Sequence, residues 1–80
     1  MQKYITYYEF HRKLDAIDYR ATQEDRDFMK IYSIYNEYDC VGWINTQIEG
    51  DMYISSRNIH LVELVLAYAK TPIAERNARP

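Results

Sequence analysis

His11, Cys40 and His60 are the side chains of this sequence best suited to nucleophilic or metal chemistry. A thiolate nucleophile needs a base within hydrogen-bond reach, and a zinc site draws its ligands mostly from closely spaced pairs. None of the three has a second ligand at such a spacing, and the chain contains no Cys-x-x-Cys, His-Glu-x-x-His, glycine-rich phosphate loop or nucleophile elbow. His60 and Glu63, one helical turn apart, read as a surface pair. Asp15, Asp18, Glu24, Asp25 and Asp27 crowd together in sequence and have the chemistry of divalent-cation ligands, but acids around a helix end and a loop are ordinarily solvated. The expectation is a protein with no catalytic residue, no metal and no cofactor, which acts by binding.

The elements that would position a binding surface are well marked at both ends. Thr6-Tyr7-Tyr8-Glu9 matches a capping box, with Ile5 and Phe10 placed as its hydrophobic staple. Tyr7, Phe10, Leu14 and Ile17 follow at helical spacing, which predicts a helix over 6–20. Ala21 to Asp27 is polar and reads as a loop or one helical turn capped by Thr22. Residues 28–38 fit two periods: Phe28, Ile31, Tyr35 and Tyr38 are spaced like a helix face, whereas Lys30-Ile31-Tyr32-Ser33-Ile34-Tyr35 has the β-branched and aromatic content of a strand. The strand is favoured because 40–48 and 52–55 read as two further strands, separated by the turn-forming Asn36-Glu37-Tyr38-Asp39 and Glu49-Gly50-Asp51. From about residue 57 to Lys70 a second helix runs unbroken, with Ser55, Ser56 and Asn58 as possible caps. Its leading apolar face is read as Ile59, Val62, Leu66 and Ala69, widened by Leu61, Leu64, Val65 and Tyr68. The expected fold is α+β in the order α-β-β-β-α, a three-stranded antiparallel meander packed against two helices, with residues 1–72 as a single domain and 73–80 as a C-terminal tail.

Composition agrees with a folded domain. Hydrophobic residues make up 48% and charged residues 28% of the 80, with two glycines and two prolines, unlike a disordered segment. A domain this small buries only about 60–65% of its unfolded surface, so association, including a homodimer, is compatible with its size. The lone Cys40 permits no intrachain disulfide, charges interrupt the first twenty residues, and no window of about 20 apolar residues is present. These features point to a cytoplasmic protein without a membrane anchor.

Charge and tyrosine content narrow the class of partner. Between Ile31 and Ser56 stand the acids Glu37, Asp39, Glu49 and Asp51 and no Lys or Arg, which disfavours nucleic acid and favours a protein with a basic surface. Nine tyrosines and Trp43 supply the side chains that dominate protein interfaces. The expected partner-binding residues are Glu37, Tyr38, Asp39, Trp43, Glu49, Asp51 and Tyr53. Two other readings remain open: a small-ligand-binding or sequestering homo-oligomer with a pocket of Trp43 and tyrosines, and a nucleic-acid-associated regulator.

The stretch from Glu49 to Lys70, an acidic turn followed by Met52-Tyr53-Ile54-Ser55 and an amphipathic helix, resembles small phage-encoded inhibitors of bacterial defence nucleases, small anti-CRISPR proteins among them. The resemblance implies a non-enzymatic inhibitor in the host cytoplasm, whose acids, here Glu37, Asp39, Glu49 and Asp51, occupy a basic nucleic-acid groove on a nuclease. The element order is also similar to that of double-stranded RNA-binding domains. Their basic cluster at the start of the last helix corresponds here to Ser55-Ser56-Arg57-Asn58-Ile59-His60, with Arg57 alone.

Overall fold

A computed structural model describes residues 4–76. Seven elements follow one another: α1 (Tyr7–Ala16), β1 (Arg20–Arg26), β2 (Met29–Tyr35), β3 (Cys40–Asn45), β4 (Met52–Ile54), α2 (Ile59–Ala69) and the helical turn α3 (Ile73–Arg76). The α+β class holds, but the sheet has four antiparallel strands in the order β1-β2-β3-β4, and there are three helices.

The extra strand comes from the polar run after the first helix. Thr6 caps α1 as expected, its Oγ1 accepting from the Glu9 amide at 3.3 Å, but the helix stops at Ala16 and does not reach residue 20. Asp18 N–H donates to Asp15 O and Tyr19 N–H to Leu14 O, the paired bonds of a Schellman motif, and Asp18 takes the left-handed φ of +65° that the motif requires. Arg20 to Arg26 then pair with β2 in unbroken register from Arg20–Tyr35 to Arg26–Met29. This segment shows no apolar alternation because it is an edge strand, mostly exposed, and is held by ladder hydrogen bonds. Asp27 and Phe28 form the two-residue hairpin turn, with Asp27 at φ +56° and Phe28 fully exposed at the tip.

Both long helices cover one face of the sheet. Phe10 and Leu14 of α1, Leu61, Leu64, Val65, Tyr68 and Ala69 of α2, and Ile34 and Ile44 of the sheet form the core. The rotation of α2 differs from the sequence reading: Ile59 and Leu66 are exposed, and Leu61, Leu64, Val65 and Tyr68 are buried. Tyr68 decides this, since its ring stacks on Phe10 with centroids 4.3 Å apart and planes 7° from parallel. Gly42 lets β3 and β4 approach closely, because a Cβ there would stand 2.4 Å from the Tyr53 carbonyl oxygen.

Of the segment 73–80 expected as a tail, residues 77–80 lie outside the described residues, and Ile73–Arg76 is a helical turn packed into the fold. Arg76 is almost fully buried. Its Nε donates to Thr71 O at 3.1 Å, one terminal nitrogen to Asn45 O at 2.7 Å and the other to Ala69 O at 2.9 Å, while Cζ lies 5.0 Å from the Tyr68 ring centroid. Burial lowers its pKa, and the neighbouring Tyr68 and Tyr32 side chains and the Glu49 carboxylate oppose that shift. The guanidinium nevertheless keeps its proton at any physiological pH. One side chain thereby closes the C-terminal end of α2, the following turn and the end of β3.

Replacing Arg76 with Ala takes a donor from the Thr71 and Asn45 carbonyls and leaves Ala69 O with the Gly50 amide alone, and Arg76→Ala is expected to lose about 3 kcal/mol or more of unfolding free energy. Arg76→Lys keeps the charge without the planar fork and should recover less than half of that loss. Urea unfolding with a shared m-value measures both.

Candidate functional site

The meander sends alternate turns to opposite ends of the sheet. The β2–β3 turn lies at the end where α1 finishes and α2 begins; the β1–β2 hairpin tip and the β3–β4 connection lie at the other. The seven residues expected to form one surface therefore occupy three places. Glu37, Tyr38 and Asp39 sit at the first end and Glu49 and Asp51 at the second, separated by the length of β3, about 20 Å for six residues. Trp43 and Tyr53 lie between them as direct cross-strand partners on the face away from the helices.

At the first end the turn is rigidly built. Asn36 Oδ1 accepts from the amides of Tyr38 at 2.8 Å and Asp39 at 2.7 Å, and the Asn36 amide donates to Asp39 O at 3.0 Å. This Asx turn projects Glu37, Tyr38 and Asp39 into solvent, with Tyr38 84% exposed. Facing it is the Schellman end of α1. Two adjoining shallow clefts of about 350 and 410 Å³ lie between them, and Asp18, Tyr19, Asn36 and Glu37 line both. Ile17, Tyr38 and the α2 cap Asn58 complete the first cleft, Asp15 and Arg20 the second. Three carboxylates from two elements thus line the second cleft together with one cation, Arg20, which lies over the Tyr35 ring at 5.4 Å and reaches toward Asn36 O at 3.4 Å.

Two of those carboxylates stand where helix physics disfavours them. Asp15 and Asp18 are at the C-terminal end of α1, the negative pole of its dipole. Asp18 also holds a left-handed backbone conformation for which glycine is the usual residue.

The acids at the other end have structural partners. Asp51 Oδ2 accepts from Asn45 Nδ2 at 3.0 Å, and Asn45 Oδ1 accepts in turn from the amides of Gln47 at 2.8 Å and Ile48 at 3.1 Å. Gly50, at φ +80°, donates its amide to Ala69 O at 2.8 Å, and the Glu49 charge supports buried Arg76.

The outer sheet face carries the row Thr22, Ser33, Trp43 and Tyr53, one residue from each strand. Tyr35 pairs in register with Arg20, yet its hydroxyl donates to Glu24 Oε1, four residues farther along β1. The two side chains must run toward each other along the face across the Thr22–Ser33 pair, where Ser33 is completely buried. The bond to Glu24 raises the Tyr35 pKa, with desolvation adding to it. Of the tyrosines, Tyr68 is in the core, Tyr7, Tyr19 and Tyr32 pack against it, and Tyr4, Tyr8, Tyr38 and Tyr53 are exposed.

Among the described residues no group of three or more His, Cys, Asp or Glu side chains is placed to hold a metal ion. His11 lies edge-on to Tyr7 with ring centroids 4.4 Å apart, and the Cys40 thiol donates to Gly42 O at 3.4 Å. No helix among the described residues is long and apolar enough to cross a membrane. No family model, curated protein or solved structure matches the chain.

Reading Asp15 and Asp18 as merely solvated left out their convergence with Glu37. The available signal was an acidic helix end, Asp15-Ala16-Ile17-Asp18, where basic residues and glycine are the stabilising choice. Asp18→Gly is expected to gain about 0.5–1.5 kcal/mol, raising the thermal midpoint by several degrees while removing one carboxylate from the clefts. Calorimetry reads this directly.

Proposed function

We propose that the chain is a non-enzymatic binding module that takes the basic surface of a protein partner against the acidic end formed by Asp15, Asp18 and Glu37, with Tyr38 as the protruding anchor. The observation that carries this reading is the placement of Asp18: an acid is kept in a left-handed, helix-terminal position where glycine would be more stable. Retaining a locally destabilising charge in a cleft with two other carboxylates is the pattern of a residue held for contact and against stability. Tyr38 contributes a large amphipathic surface at little entropic cost, as interface tyrosines do.

The resemblance to phage-encoded inhibitors of defence nucleases suggests the kind of partner, a protein whose basic groove ordinarily takes nucleic acid. In that role the end bearing Glu37 and Asp39 would make first contact. Glu49 and Asp51, which already serve the β3–β4 connection and Arg76, would contribute less.

Binding is tested by capturing partners from a bacterial lysate with the intact chain, then titrating the purified partner. The double variant Asp18→Lys/Glu37→Lys is expected to weaken binding by about 100-fold and to reduce its salt dependence. Tyr38→Ala should weaken it about tenfold or more. Unchanged affinity in the charge-reversed variant, with its fold intact by circular dichroism, removes this reading.

A further inference from the structure

The exposed edge of β1 has a charge pattern that matches itself. β1 is the first strand of the sheet and has a neighbour on one side only. Five of its seven residues are exposed, with Ala21 and Glu24 half-buried.

Its hydrogen-bonding parity follows from the ladder. The Thr46 amide donates to Lys30 O at 2.9 Å, which makes Ile31–Asn45 a non-hydrogen-bonded pair and turns the main-chain groups of Tyr32 toward β3. Ile31, Ser33 and Tyr35 therefore bond to β1, through Glu24, Thr22 and Arg20. What remains is the set Ala21, Gln23 and Asp25, whose N–H and C=O groups point away from the sheet. A second strand added here must pair through these residues.

For two copies meeting antiparallel about a two-fold axis, this parity allows the axis to fall on any residue of β1; an axis at Arg20, Asp25 or Arg26 sets that charged residue against itself, which leaves Ala21, Thr22, Gln23 and Glu24. The charges on the outer face separate these registers. An axis at Gln23 sets Arg20 opposite Arg26 of the second copy. An axis at Glu24 sets Glu24 against itself, and one at Ala21 brings Glu24 to the Asp18 turn. An axis at Thr22 sets Arg20 opposite Glu24 and Glu24 opposite Arg20, with the two threonines in contact at the centre. It also brings Arg26 to the second copy's Asp18 turn. Glu24 has capacity for the new contact: Oε1 is taken by Tyr35, but Oε2 has only a long contact of 3.7 Å with Arg26.

We propose that β1 is a homodimer edge, along which two copies pair antiparallel about an axis at Thr22 and join their four-stranded sheets into one continuous sheet. The Ala21 and Gln23 main chains exchange hydrogen bonds across the axis, and the Arg20–Glu24 pairs fix the register. The strand's charges, which usually protect an edge against association, here exclude every register but one.

The register gives the test. At a non-hydrogen-bonded antiparallel pair the Cα atoms approach to about 4.5 Å, within disulfide range. In a Cys40→Ser background, Thr22→Cys should link into a covalent dimer under mild oxidation, whereas Glu24→Cys, displaced from its own copy, should not. Sedimentation of the unmodified chain should show its mass rising from one chain toward two with concentration. Gln23→Pro, which removes an outward amide and no bond within the sheet, should hold it at one chain with an unchanged circular dichroism spectrum. Arg20→Glu should shift the association in the same direction, and Arg20→Glu/Glu24→Arg should restore it. A chain that stays monomeric up to about millimolar concentration, or that links equally well through positions 22 and 24, overturns the proposal.

Discussion

The fold depends on how Arg76 is neutralised. A guanidinium buried without hydrogen bonds would cost several kcal/mol, and here the cost is met by three main-chain oxygens at the ends of their elements, of which Ala69 O also accepts from the Gly50 amide. Ala69 and Thr71 sit at the C-terminal end of α2, where carbonyls lack helical partners, and Asn45 ends β3. Each group repairs a deficit in the other. The Tyr68 ring, with one face against Phe10 and the other under Arg76, extends this arrangement into the core and links the end of α2 to α1.

That anchoring sets the direction of both helices and so determines what gathers at the far end of the sheet. With α2 held at its C-terminus, its cap Asn58 arrives beside the β2–β3 turn. The Schellman end of α1 reaches the same place because the chain must turn there to enter β1. The cleft is therefore a product of topology: its acids come from a helix terminus and a hairpin turn that only the meander brings together.

Local signals in the chain were legible and nonlocal ones were not. Thr6 and Asn58 as caps, the Asn36–Asp39 turn, and the strands around Ile31, Trp43 and Tyr53 all rest on short-range chemistry and could be read directly. β1 could not, since Arg20 to Arg26 owes its conformation to pairing with β2 and carries no alternation of its own. Nor could the rotation of α2, because a helix apolar around most of its girth leaves the buried face to be chosen by partners such as Phe10. The charge count over 31–56 correctly registered four acids in that span, but a count along the chain does not record that successive turns face opposite ways. Arg76, in a segment that read as a tail, was hidden for the same reason: its three acceptors are assembled by the fold.

Trp43 acquires a particular meaning from its position. The single indole of the chain stands on the sheet face opposite the helices, between Ser33 and Tyr53, outside the cluster built around Tyr68 and Phe10. Its fluorescence reports the uncovered layer, while far-ultraviolet ellipticity is dominated by α1 and α2. The two signals sample opposite sides of one sheet, so the degree to which they change together measures how cooperatively the molecule holds its layers.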